Sequence, residues 1–214
     1  MLRSAMAGLL CLLLWLGVCA AADLTKLEWS DCGSDSGLTI HKIDISPMPV
    51  VVPGDLHLTI NASSTRKQLN QMKLSVHVKR DTFLLNIPIP CLFHVGSCTY
   101  DDTCTLLATM QKENWAGIMG DIGLQIQQML ASVGITTYCP AVVQSIDLQD
   151  YVLKMPAVPS ILSWFAEGNY EATATAVDTA TGEQMLCLNV KLTVKEKKEP
   201  CTGWLCGRRR RSQH

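Results

Sequence analysis

The sequence predicts an all-β protein built as a sandwich of antiparallel strands. Three observations point there. Segments with an apolar residue at every second position recur along the chain, as in Leu56, Leu58, Ile60 and again in Leu74, Val76, Val78. Two pairs of such segments are joined by short turn-forming stretches, which is the signature of hairpins. Helical periodicity is confined to the middle of the chain. No internal repeat is visible.

The first 22 residues are set apart from the fold. Arg3 gives a positive start, Gly8–Cys19 is a short apolar run, and Ala20, Ala21 and Ala22 form a small-residue cleavage site. Together they read as a secretory leader, too short for a bilayer span. From Asp23 onward the chain has about 190 residues, the length of one domain. We expect the folded domain at 23–195 and an appended tail at 196–214.

Strand signals begin at Leu38–Ser46 (LTIHKIDIS), which Pro47 and Pro49 break. Val50–Gly54 leads into a turn, and Leu56–Ile60 alternates as a half-buried strand. Leu74–Val78 alternates likewise; Arg80 and Asp81 are expected to turn the chain into Phe83, Leu85, Ile87 and Ile89. Near the other end, Tyr170–Val177 and Met185–Val194 flank a loop containing Gly182, a second hairpin.

The stretch from Cys91 to Cys139 differs. Asp101 and Asp102 are placed to cap a short helix through Leu106, Leu107 and Met110. Beyond it, Ile118, Ile122, Ile126, Met129 and Val133 form one helical stripe, and Asp121 is the only formal charge between Trp115 and Cys139. Gly117, Gly120 and Gly123 interrupt the first half, each at a cost of about 1 kcal/mol relative to alanine. A poor, mobile helix is therefore expected before Leu124 and a better one after it.

Eight cysteines remain once the leader is set aside, and an even number in an exported chain reads as a disulfide framework. Counting alone selects none of the possible pairings. No CxxC spacing occurs, so no zinc site is expected. The net charge of −1 conceals an acidic body. Without Arg3 and the run Arg208–Arg211, 13 basic residues face 19 acidic ones. That balance argues against a nucleic-acid partner, which requires clustered cations. A catalytic reading is poorly supported too. At Gly33–Gly37 an aspartate, Asp35, stands where a nucleophile elbow needs serine. His41, His57, His77 and His94 lie among polar strand or loop positions with no nucleophile in view, so we expect no enzyme and no cofactor.

The motifs LEWSDC (27–32), PMPVVVPGDLHLTI (47–60), IPIPCLFHVGSCTYDDTC (87–104), YCP (138–140) and SWFAEGNYEA (163–172) occur in that order. In this order they resemble the lipid-recognition ML-domain family, the family of the GM2 activators and the Niemann–Pick C2 sterol carriers. The resemblance covers about Leu27 to Val194. It implies a β-sandwich cup whose sheets splay over an apolar cavity, and it implies the bridges Cys32–Cys187, Cys91–Cys98 and Cys104–Cys139. Relatives carry a further bridge inside the last of these loops, and this chain has no cysteine there. Cys201 and Cys206 are extra and are expected to pair with each other.

The resemblance implies a non-enzymatic protein that takes a glycolipid, ganglioside-like, or another lipid from a membrane and presents it to a soluble hydrolase such as a lysosomal hexosaminidase. The family also holds receptor cofactors that keep the fold without shuttling lipid. Physically, drawing a 16-carbon chain from a bilayer forfeits about 12 kcal/mol, at ~0.8 kcal/mol per methylene, so an extended apolar cavity is needed. The small side chains of Ala172, Ala174 and Ala176 leave room for one. Expected lipid-contacting residues at its entrance are Trp115, Ile118, Met119, Ile122, Ile126, Met129 and Leu130, with Ile161, Leu162, Trp164 and Phe165 on a second segment. Tryptophan and flexible methionine suit a surface that meets membrane and irregular ligand. Asn61-Ala62-Ser63 is a glycosylation acceptor, and the leader directs the chain to secretion or the lysosome. Arg208–Arg211 reads as a run for anionic headgroups, as a processing site or as a solvated tail.

Overall fold

The computed structural model describes residues 22–33, 37–66, 68–82, 84–143 and 145–197. The side chains of Trp164 and Phe165 lie outside the described set, as do Phe83, Cys201, Cys206 and Arg208–Arg211.

Two main sheets face each other, and a separate two-stranded sheet pairs β5 (Gln68–Leu69) with β9 (Ala141–Val142). The smaller main sheet consists of β10 (Ser145–Met155), β4 (Gly54–Ser64) and β2 (Leu38–Ser46) in that order, all antiparallel. The larger has the order β1 (Glu28–Asp31), β12 (Gln184–Glu196), β11 (Gly168–Asp178), β6 (Met72–Asp81) and β7 (Asn86–Ile89). β8 (Thr99–Tyr100) also pairs with β6. The alternation expected for β4 and β6 is thus met, and both hairpins form.

Two turns differ from expectation. Val50–Val52 is not a lead-in to a turn but a short strand, β3, which adds to β12 in parallel, the one parallel pair among the described strands. Both Val50 and Val52 are buried, so packing overrides the flanking prolines. The first hairpin also turns later than Arg80–Asp81, because both still pair across to β11. The turn is Thr82–Leu85, closed by Thr82 N–H to the Leu85 carbonyl at 3.0 Å and by the Thr82 hydroxyl to the same oxygen at 2.6 Å.

Three disulfides hold the described residues together: Cys32–Cys187, Cys91–Cys98 and Cys104–Cys139. The first ties the start of the domain to β12 across 155 residues. The third closes a helical hairpin, α1 (Thr103–Glu113) and α2 (Met119–Ser132), joined by a 3-10 turn at Trp115–Gly117.

α1 starts where the sequence says it should. The Asp102 carboxylate accepts from Cys104 N–H at 2.8 Å and from the Thr105 hydroxyl at 2.9 Å. It ends at Asn114, whose backbone is left-handed (φ 46°) and whose side-chain oxygen accepts from Gly120 N–H at 2.9 Å. The expectation of a poor helix before Leu124 is met at Trp115–Gly117, a kinked 3-10 turn in which Gly117 has φ 77°, and corrected beyond it, where the helix is regular from Met119. Gly123 is buried against α1, where an added Cβ would lie 3.2 Å from Met110 Cβ. The propensity penalty is outweighed by close helix–helix approach.

This hairpin bridges the gap between the sheets. At one end, Met72 N–H of β6 donates to the Thr103 hydroxyl at 3.2 Å. At the other, the Gln125 side-chain amide pairs with the free edge of β10. It accepts from Lys154 N–H at 2.6 Å and donates to the Lys154 carbonyl at 3.1 Å. One amide side chain thus caps an open strand edge as a further strand would.

Candidate functional site: two apolar chambers against the larger sheet

Alternation decides which side chains enter the space between the sheets. On the larger sheet, Ala172 is in register with Val78 on one side and Val190 on the other, and Tyr170 with Leu192. These side chains, together with Val194, form the floor of a chamber of about 270 Å³. Its remaining wall comes from three connections: Val95 and Gly96 of the Cys91–Cys98 loop, Ile118 ahead of α2, and Val158 and Leu162 around the 3-10 turn Ser160–Phe165. A second chamber, of about 240 Å³, lies where β6 begins. It is walled by Leu38, Met72, Leu107, Leu130, Ile135 and Ile146, with Asn70, Thr103, Thr136 and Thr137 as neutral polar groups. Met72 and Val78 are six residues apart on one strand, so the chambers lie roughly 20 Å apart along the cup. Each exceeds the roughly 150 Å³ at which an apolar cavity stays dry and accepts benzene.

Among the described residues, neither wall carries a charged side chain. Tyr170 supplies the one side-chain hydroxyl of the first chamber, and burial pushes its phenol pKa up, against a smaller lowering by Arg80. Its hydroxyl contacts the Glu167 carbonyl at 3.4 Å, and the Arg80 guanidinium donates to the same carbonyl at 2.6 Å. Gly168 makes that arrangement possible. At φ 150° its missing Cβ would otherwise lie 2.7 Å from Arg80 Nε.

Exposed apolar side chains cluster at the end of the larger sheet nearest Tyr170 and Val194 of the first chamber, and we take that end as its mouth. Leu84 is 80% and Leu85 68% exposed on the β6–β7 turn, and Ile161 is 53% exposed beside the chamber residue Leu162.

The expected entrance residues divide accordingly. Ile118 and Leu162 line the mouth chamber, Leu130 lines the rear one, and Ile161 is at the mouth rim. Met119, Ile122, Ile126 and Met129 are half-buried on α2 and belong to neither wall. Trp115 is corrected: it is only 7% exposed and stands at no entrance. Its indole stacks on His94 (centroids 4.6 Å apart) and Tyr100 (5.7 Å), and its Nε1–H donates to Glu113 at 2.6 Å. Sequence reasoning missed Val78, Tyr170, Val190, Leu192 and Val194, the floor of the mouth chamber. The signal was present, since all five sit on the apolar register of predicted strands.

A family model described as the ML domain matches residues 26–194 of this chain. A ganglioside GM2 activator from Macaca fascicularis is 24% identical over 183 residues, covering 82% of this chain and 88% of the relative. One from Mus musculus is 23% identical over 176 residues, covering 81% and 84%. Among solved structures, a Niemann–Pick type C2 protein from Japanese carpenter ant aligns with a TM-score of 0.37 at 11% identity, covering 78% of this chain and 99% of that one. Because the family model spans both sheets, the helical hairpin and both chambers, the chain belongs to the ML-domain family.

Proposed function

We propose that this protein is a non-enzymatic lipid carrier. It lifts a glycolipid or another lipid partly out of a membrane and keeps the alkyl chains between the sheets. The headgroup stays outside, where a soluble glycosidase of the hexosaminidase kind acts on it or from where the lipid is transferred. The observation that carries this reading is the pair of chambers whose walls hold no charged side chain. Desolvating a charged headgroup there would be costly, whereas alkyl chains gain ~0.8 kcal/mol per buried methylene. Relatives named as ganglioside GM2 activators favour a glycolipid over other cargo.

The apolar mouth supports a transient membrane contact. Leu84, Leu85 and Ile161 are exposed around the opening to the chamber, and aliphatic side chains at such a rim enter the headgroup region at little cost. Secretion to the lysosomal route fits the three disulfides. Asn61 supports glycosylation, as it lies on the outer face of the smaller sheet, its amide 3.5 Å from Asp147. A glycan there would stand away from the mouth.

The test is extraction from liposomes at acidic pH. The mature protein should release labelled glycolipid into solution, and Leu84→Ser with Leu85→Ser should reduce release several-fold while leaving the fold intact. No release, with a stable complex to another protein instead, would assign the chain to the recognition members of the family.

A further inference from the structure

The segment that precedes β1 crosses the outer face of the larger sheet rather than running along it. Leu24 N–H donates to the Thr193 hydroxyl of β12 at 2.8 Å. The Ala22 carbonyl accepts from the Asn169 side-chain amide of β11 at 3.1 Å. Thr193, 1% exposed, donates its hydroxyl to Asn169 Oδ1 at 2.6 Å, and Asp23 pairs with Lys195. Toward lower numbers, the chain therefore passes from β12 to β11.

The next strand in that direction is β6, and the residue in register with Asn169 there is Asp81. Directly opposed side chains have Cβ atoms about 4.5–5.5 Å apart. Asp81 Oδ1 is shielded from solvent and accepts no hydrogen bond. A buried carboxylate oxygen in that condition calls for a donor, and no described side chain supplies one. Lys79, Glu171 and Lys191 form the next row along the same face, and Asp23 and Lys195 are already paired.

We propose that the leader is cut between Ala21 and Ala22 and that the new α-ammonium of Ala22 seats against Asp81 Oδ1. This cut leaves small residues, Ala21 and Cys19, at the two positions that a signal peptidase reads. A cut one residue later, at the boundary taken from sequence, would discard the carbonyl that Asn169 holds. The ammonium brings a positive charge and three donors to a carboxylate, a charge-assisted pair stronger than a neutral hydrogen bond. Processing thereby completes the polar row Asp81–Asn169–Thr193 and fastens the start of the domain across three strands. The proposal does not depend on lipid binding.

Two readouts on the full-length secreted protein test it. Intact mass and N-terminal sequencing should give Ala22 as the first residue. The α-amine should then be acetylated by an N-hydroxysuccinimide ester at pH 7 at least tenfold more slowly in folded protein than in urea-unfolded protein. Asp81→Asn should recover most of that factor, and Asp81→Ser serves if the asparagine variant does not fold. A different first residue overturns the proposal. So does an α-amine that reacts equally fast folded and unfolded, or one equally protected without Asp81.

Discussion

Trp115 joins three parts of the chain at one point. It stacks on His94 of the Cys91–Cys98 loop and on Tyr100 of β8, and it bonds to Glu113 at the end of α1. Truncating it to alanine should cost about 3–5 kcal/mol, as for other buried tryptophans. Trp115→Phe, which keeps the stack and loses the Glu113 bond, should cost less; urea unfolding of both variants measures the difference. Asp178 acts at the same scale in the second hairpin. Backbone N–H groups of Thr181 and then Ala180 hold its carboxyl below the ordinary carboxylate pKa, aided by Arg66 and Asn70 against some desolvation. Because the folded pKa is depressed, the stability it confers is present above the unfolded value of about 3.9 and is lost as pH falls through the folded one. The Tm of wild type should therefore exceed that of Asp178→Asn at pH 6, and the gap should close toward pH 2.

The helical hairpin is the element that shapes the cup. Gly123 lets α1 and α2 approach, and Gln125 fastens α2 to the edge of β10. Gly123→Leu should cost about 1–3 kcal/mol by forcing the helices apart, read as a lowered urea midpoint. Gln125→Ala leaves the helices in contact but frees the edge of β10, so lipid exchange should quicken without a comparable loss of stability. The strands β2, β4, β6, β11 and β12 were legible because alternation is local: each apolar face declares itself within five residues. β1 and β10 were not read from the sequence, and in β10 a register shift between Leu148 and Tyr151 breaks the alternation. The cap at Asp102 was legible for the same reason. The regular start of α2 was not, because the contact that favours Gly123 comes from a different helix. Strand β3 was hidden likewise, since Val50–Val52 pairs with residues more than 140 positions away.

At the scale of the whole molecule, one bridge and one space define the protein. Cys32–Cys187 closes a loop of 155 residues, worth on the order of 4–5 kcal/mol in the chain-entropy model, so replacing both cysteines by serine should lower Tm by roughly 10 °C or more. The space was only partly legible. Ile118, Leu130 and Leu162 could be named from apolar periodicity and family motifs, but which strand faces line the two chambers depends on how the sheets are apposed, which no local pattern records. The small Ala172 is where that apposition matters most, since it lies on the chamber floor between Val78 and Val190. Native mass spectrometry of the secreted protein, wild type beside Ala172→Phe, tests the central claim most directly. Wild type should carry a co-purifying lipid, and the variant, folded by circular dichroism, should carry none or a smaller one because the ring occupies the mouth chamber. Lipid-free wild type that also takes none from liposomes, or a variant that carries the same lipid in the same amount, would contradict the account.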